Sequence, residues 1–204
     1  MGIPVLILGA SGSGKSRSMK NFSPEEVCIF NVAGKPFPFK KKLSCVNHAT
    51  YVKIEKEFKK CEYKRYIIDD SQYLLAFELF SKVKETGYTK YTDIAIHFKN
   101  MLTYIIQGMP SDVIVYLLHH TEEGEEGKIK AKTVGKMLDN QLTLEGLFSV
   151  VLLCTTEGTK HKFITQSDGT STAKSPEDMF EDLEIENDLK YVDTKIREYW
   201  ELGQ

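Results

Sequence analysis

The sequence predicts an α/β protein: a mainly parallel sheet with helices on both faces, finished by an antiparallel hairpin. Three observations carry this. Residues 3–8, 27–32, 65–68 and 112–118 are short apolar runs without polar alternation, the pattern of strands buried on both faces. Between them lie stretches whose apolar residues recur at spacings of three and four, the mark of helices packed on a sheet. Near the end, residues 147–154 and 160–166 flank Glu157-Gly158, which reads as a hairpin turn.

The first run is the most informative, because Gly9-Ala10-Ser11-Gly12-Ser13-Gly14-Lys15-Ser16 follows it directly, with Arg17 next. Glycines let successive backbone N–H groups turn inward around an anion, Lys15 brings charge to the β and γ phosphates, and Ser16 offers a hydroxyl to Mg²⁺. A helix over about 15–21 would add its N-terminal partial charge to this phosphate loop. Expected ligands are therefore ATP and Mg²⁺, held by residues 9–17.

Length and composition frame that site. At 204 residues, with no linker-like stretch, the chain is expected to be a single domain spanning 1–204. Its 41% apolar and 27% charged content is that of an ordinary soluble protein, and a net charge of −2 argues against a protein that coats nucleic acid over its whole surface. The apolar start lacks a basic leader and runs straight into the phosphate loop, so a signal peptide is not expected; Leu6 stands where a myristoylation motif wants Ser or Thr. A cytoplasmic location with no membrane partner follows. Cys28, Cys45, Cys61 and Cys154 have no metal-site spacing and read as reduced thiols. Arginine occurs only as Arg17, Arg65 and Arg197.

After the second strand, two prolines in residues 33–39 enforce an extended loop, and Lys40-Lys41-Lys42 reads as a solvated run. Residues 50–62 read as a surface helix. The third strand ends in Asp69-Asp70. An acidic residue at the tip of a neighbouring parallel strand suits Mg²⁺, which makes Asp69 the metal candidate beside Ser16. Asp70 either polarises an attacking water or caps the helix that begins near Gln72. Tyr73, Leu74, Phe77, Phe80 and Val83 form one apolar stripe, and Ile94, Phe98, Met101, Leu102, Ile105 and Ile106 another; both are expected in the core. The polar loop between them, with two tyrosines, suits stacking on single-stranded bases or a plain surface role.

The fourth strand ends in His119-His120. Neighbouring side chains on a strand point to opposite faces, which suits zinc poorly; His120 is placed instead to sense the γ-phosphate or to be satisfied by backbone groups. Residues 122–141 are polar and glycine-punctuated, and read as a long functional loop carrying Lys128, Lys130, Lys132 and Lys136. Ser175-Pro176-Glu177-Asp178 reads as a short helix start. Asn187 reads as the cap of a C-terminal helix with Leu189, Val192 and Ile196 on one face.

In this order of parts the chain resembles the RecA-like ATPase core, and more specifically the small phage ATP-binding proteins of the Sak-type single-strand annealing group. The phosphate loop, Asp69 after Ile67-Ile68, the stretch Asn31-Val32-Ala33-Gly34-Lys35-Pro36-Phe37-Pro38-Phe39, and Asp168-Gly169-Thr170-Ser171-Thr172-Ala173-Lys174-Ser175-Pro176 carry the resemblance. It implies a DNA recombination protein that binds ATP and single-stranded DNA, works as a homo-oligomeric ring or filament, and meets a phage or host single-strand binding protein in the host cytoplasm. It further implies DNA contacts from residues 86–93 and from Lys128, Lys130, Lys132 and Lys136, and a basic finger, Lys174, reaching a neighbour's γ-phosphate. Such cores place a catalytic glutamate after the second strand, where Ala33 stands here. Either Asp70 activates water, or hydrolysis is slow and ATP serves assembly. Two other classes compete. A small-molecule kinase would use several arginines on its phosphoryl group. A nucleotide-regulated adaptor would need no DNA, and the acidic residues 122–126 suit a protein partner.

Overall fold

The computed structural model describes residues 1–124, 127–135 and 137–203. Its centre is a mixed, mostly parallel sheet. Among the described residues the strands are β1 (Ile3–Gly9), β2 (Cys28–Asn31), β3 (Cys45–Asn47), β4 (Arg65–Asp69), β5 (Ile114–Glu123), β6 (Ile129–Ala131), β7 (Val150–Glu157), β8 (Lys160–Ile164) and β9 (Glu184–Glu186). They lie in the order β3-β2-β4-β5-β1-β7-β8-β9, with β6 pairing the outer end of β5. From β3 to β7 every pairing is parallel; β8 joins β7 antiparallel through the turn at Gly158 and Thr159, and β9 pairs antiparallel with β8. The α/β class, the mainly parallel sheet and the closing hairpin are thus as the sequence predicts.

Alternation along each strand divides the core in two. Leu6, Leu8, Phe30, Ile68, Val115, Leu117 and Val151 face α1 (Tyr51–Lys60), α2 (Gln72–Ser81) and α3 (Thr89–Gly108). Val5, Ile7, Ile29, Ile67, Tyr116 and Leu152 face α4 (Leu189–Tyr199) and the short helix after the phosphate loop. Helices therefore cover both faces. In α4, Leu189, Val192 and Ile196 at i, i+3 and i+7 are fully buried, about 2 kcal/mol of apolar burial each.

Several local expectations are corrected. The segment after the phosphate loop is a six-residue 3₁₀ helix, Ser16–Asn21, too short to lend the site an α-helical macrodipole. The α2 stripe is only half core: Leu74 is buried, whereas Phe77 is about half exposed, and Phe80 (73%) and Val83 (67%) face outward. The buried partner on that helix is Leu75, one position off the stripe. The α3 stripe holds, apart from half-buried Ile106. Residues 122–141 are not one loop, because β5 runs on to Glu123 and β6 returns against it, followed by a π-helical turn, Met137–Leu142. Those polar residues pair through their backbones, which an apolar pattern cannot reveal. Helix α3 begins at Thr89, so residues 86–93 are only half loop. No helix begins at Ser175, and β9 stands where no strand was expected. Asp188, not Asn187, caps α4, accepting from the amides of Lys190 and Tyr191. No described helix is long and apolar enough to cross a membrane.

Candidate functional site

The site forms at the carboxyl edge of the central strands, where β1 and β4 end on either side of β5. Pairing sets the level: Gly9 lies opposite His120, and Asn31 opposite Asp69. Strand β5, which carries His120, separates the phosphate-loop strand from the strand that ends in Asp69.

The loop of residues 9–16 is held by its own geometry and by the hairpin behind it. Gly12 and Gly14 have left-handed φ values of +81° and +104°. Gly9 packs so closely that a Cβ would stand 2.4 Å from Ser13 Oγ. The Ser13 amide closes a turn on the Ala10 carbonyl at 3.2 Å. From the hairpin, three side chains converge on the Ser13 carbonyl: Cys154 Sγ donates at 3.0 Å, Thr156 Oγ1 at 3.3 Å, and His161 Nδ1 lies at 2.7 Å. They hold that carbonyl turned toward the hairpin. Ser11 is exposed on the loop's outer side.

Lys15 is buried and its ammonium donates to the carbonyls of Gly9 (2.8 Å) and Ala10 (2.9 Å). Burial pulls its pKa below the usual lysine value, against the attraction of Asp70, Cys154 and Asp69. Ser16 Oγ donates to Asp69 Oδ1 at 2.7 Å, a contact spanning 53 residues of sequence. Asp69 is almost wholly buried, and its other oxygen, Oδ2, has no hydrogen-bond partner. Burial first, then the neighbouring Asp70 charge, push the Asp69 carboxyl up to about 6. An orphaned buried carboxylate oxygen beside a serine hydroxyl fits a hard, oxygen-ligated cation such as Mg²⁺. Among the described residues no group of three or more His, Cys, Asp or Glu forms a protein-only metal cluster. Ser16 and Asp69 are the two residues here that could hold such an ion, with the rest of its shell supplied from outside the protein.

Asp70 does not cap α2. It sits at φ +60°, sealed from solvent, with Lys35 Nζ 2.5 Å and His120 Nε2 3.2 Å from its oxygens. Neither contact has the direction of a good hydrogen bond; each sets a basic side chain against the carboxyl. Burial alone would raise the Asp70 pKa, but His120 and Lys35 outweigh it and hold the carboxyl below its ordinary value. His120 also packs edge-on against Tyr73, ring centroids 5.5 Å apart. Its neighbour His119 points elsewhere: fully buried, it bridges Ser71 Oγ and the Lys132 carbonyl, each at 2.8 Å.

The structure thus brings together residues 9–16, Asp69, Asp70 and His120. Arg17 lies at the border, reaching Asn187 Oδ1 at 3.4 Å. Lys174 is elsewhere, its backbone paired with Val151 in the amino-terminal half of β7. Lys130 lies in β6, and Lys128 and Lys132 flank it at alternate positions, the spacing that puts side chains on one side of an extended segment. Lys128 and Lys132 are exposed, and Lys130 lies 3.7 Å from Glu122. Lys136 lies outside the described residues. Neither protein-family models nor curated proteins match this chain.

Four contributors leave no local signal in the sequence, Cys154 among them at 141 residues from Ser13. His161 and Thr156 reach the phosphate loop from more than 140 residues away in sequence. Lys35 reaches Asp70 from the loop after β2. The one available signal was that Lys35 follows a strand's carboxyl end, where such sites gather. Beside the site, α1, α2 and α3 frame a half-open, mostly apolar cavity of about 750 Å³, walled by Tyr51, Tyr73, Phe77, Met101 and Tyr104.

Proposed function

We propose that this protein binds Mg²⁺-ATP at the carboxyl edge of its sheet and uses it to govern single-stranded DNA binding by an oligomer, in the manner of the Sak-type annealing proteins with their RecA-like core. The observation that carries the nucleotide half is the Ser16–Asp69 contact at 2.7 Å, formed beside a glycine-held loop that carries Lys15. A glycine-rich turn without a ligand has no reason to seal an unpartnered carboxylate oxygen next to its serine. The place of β5 between β1 and β4 supports the RecA-like reading, since His120 then stands between phosphate loop and metal carboxylate, where a γ-phosphate sensor belongs.

Support for DNA comes from the β6 segment, where Lys130 lies within the strand and Lys128 and Lys132 flank it at alternate positions. β6 pairs antiparallel with the outer end of β5, so the segment that carries the lysines is hydrogen-bonded to the strand that carries His120. Phosphate contacts from such residues give affinity without sequence preference. Exposed Phe80 and Val83, with Phe77 at the cavity rim, support self-association. Hydrolysis is slow on this reading: Ala33 offers no carboxylate, and Asp70 is already engaged by two basic groups.

That same engagement favours a second reading, a nucleotide-regulated adaptor without turnover. The kinase reading loses ground, because Arg65 and Arg197 are both bound to Asp193 under α4, which leaves Arg17 alone near the phosphate loop. The deciding experiment is ATP turnover with and without single-stranded DNA, with Lys15→Ala as control. DNA-stimulated turnover lost in the variant supports the annealing ATPase. ATP binding with neither turnover nor DNA binding supports the adaptor.

A further inference from the structure

We propose that Lys35 is a γ-phosphate ligand: its ammonium leaves Asp70 for the terminal phosphoryl group of a bound triphosphate, so that this residue tells ATP from ADP. The proposal rests on the reading of the site as an ATP site.

The backbone around Lys35 is pinned by hydrogen bonds, whereas its side chain is held at the ammonium, by Asp70. Asn31, nearly buried at the end of β2, donates through Nδ2 to the Lys35 carbonyl at 2.8 Å and accepts from the Gly34 amide at 2.9 Å. Gly34 has φ +68°, a left-handed turn that glycine adopts without strain, and the His48 ring packs against the space a Cβ would fill. From this anchored turn the Lys35 side chain runs half exposed (51%) to the sealed Asp70 carboxylate. An exposed stem ending on a buried acceptor can re-aim its head without moving the backbone.

The charges explain why it would. Asp69 and Asp70 sit together at this edge, and Lys15 experiences Asp70, Asp69 and Lys35 at once, so all four groups share one field. The triphosphate of ATP brings about four negative charges into that field, and Lys15 with Mg²⁺ meets most of them on the β and γ oxygens. The γ-phosphate then competes with Asp70 for Lys35 and carries more charge. Asp70 is the one competitor that keeps a second basic neighbour, His120, when Lys35 leaves. A lysine suits this exchange, being a compact point charge on a flexible stem rather than a planar fork bound to one geometry. ADP lacks the terminal group and leaves Lys35 on Asp70.

The test measures binding of a non-hydrolysable ATP analogue and of ADP, both with Mg²⁺, to the full chain and to Lys35→Ala and Lys35→Gln variants, with thermal unfolding as a fold check. One charge-assisted contact predicts that analogue affinity falls about tenfold or more while ADP affinity stays within about twofold. Lys35→Arg should restore part of the discrimination. A variant that weakens both nucleotides equally, or neither, overturns the proposal while the ATP site stands. Wild-type protein that binds neither nucleotide overturns the ATP reading and this assignment with it.

Discussion

Ser16, at the start of the 3₁₀ helix, and Asp69, at the end of β4, meet through a 2.7 Å hydrogen bond, with the unpartnered Asp69 Oδ2 beside it. The carboxyl is protonated below about pH 6 and ionised above it, and only the ionised form binds a cation. Mg²⁺-dependent tightening of ATP binding is therefore expected to grow between pH 5 and pH 7 and to vanish in Asp69→Asn. Stability runs the other way. A carboxyl whose folded pKa lies above its unfolded value stabilises the fold below about pH 4 and loses that contribution as pH rises through 6. Asp69→Asn should consequently unfold at a higher temperature than wild type at pH 7. Calorimetric titration of nucleotide and thermal unfolding together check both signs.

His119 has the opposite linkage. Burial depresses its pKa to about 4, against the pull of the Lys132 carbonyl, so the ring is neutral. Nε2 then donates to Lys132 O, and Nδ1 accepts from Ser71. The fold holds its full stability above pH 6.5, where the unfolded histidine is also neutral, and loses it as pH falls toward 4. From a depression of this size about 2 kcal/mol should be lost between pH 7.5 and pH 5. Measured in an Asp69→Asn background, which removes the opposing titration, the pH dependence should flatten in His119→Gln. An unchanged slope would refute the assignment.

The hairpin's grip on the phosphate loop separates His161 from Lys35. A Cβ on Gly14 would stand 2.7 Å from the His161 ring, at a φ that side chains avoid. Gly14→Ala should therefore abolish nucleotide binding with the fold retained. His161→Ala frees the Ser13 carbonyl from its shortest contact, and loss of one net hydrogen bond predicts about fivefold weaker binding. On the proposed reading the loop serves the phosphates common to ATP and ADP, so the loss should be equal for both. Parallel titrations of the two nucleotides read this directly.

What the sequence revealed depended on range. The strands around β1 were legible because burial on both faces writes itself as unbroken apolar runs, and Asp69 was legible because it ends such a run. β6 and β9 were not: Ile129-Lys130-Ala131 and Glu184-Ile185-Glu186 carry too few apolar residues to be told from loop, and their pairing partners supply the order. The exposed end of α2 shows the converse, since Phe77, Phe80 and Val83 keep helical spacing without a core to meet. Contacts such as Lys35–Asp70 and His161–Ser13 depend on tertiary packing and leave no local signal. Asp70 stood open between cap and catalyst until its left-handed backbone and two basic neighbours removed the first role.

At the opposite end of the sheet, Asp193 of α4 joins Arg65 (2.6 Å), Arg197 (3.0 Å) and the hydroxyl of fully buried Tyr116 (2.8 Å). Arg197 also donates to the carbonyls of Lys64, Asp112 and Gly203, tying α4 to the starts of β4 and β5. Removing the shared carboxylate leaves a buried guanidinium unpaired, so Asp193→Ala should cost about 3–5 kcal/mol. Tyr116→Phe loses one hydrogen bond to a charged acceptor and should cost about 1.5–3 kcal/mol. Chemical denaturation measures both. Because this cluster uses two of the three arginines away from the phosphate loop, Arg65→Lys should lower stability while nucleotide affinity per folded molecule stays unchanged. A drop in that affinity would put Arg65 in the nucleotide site and return the kinase reading to contention.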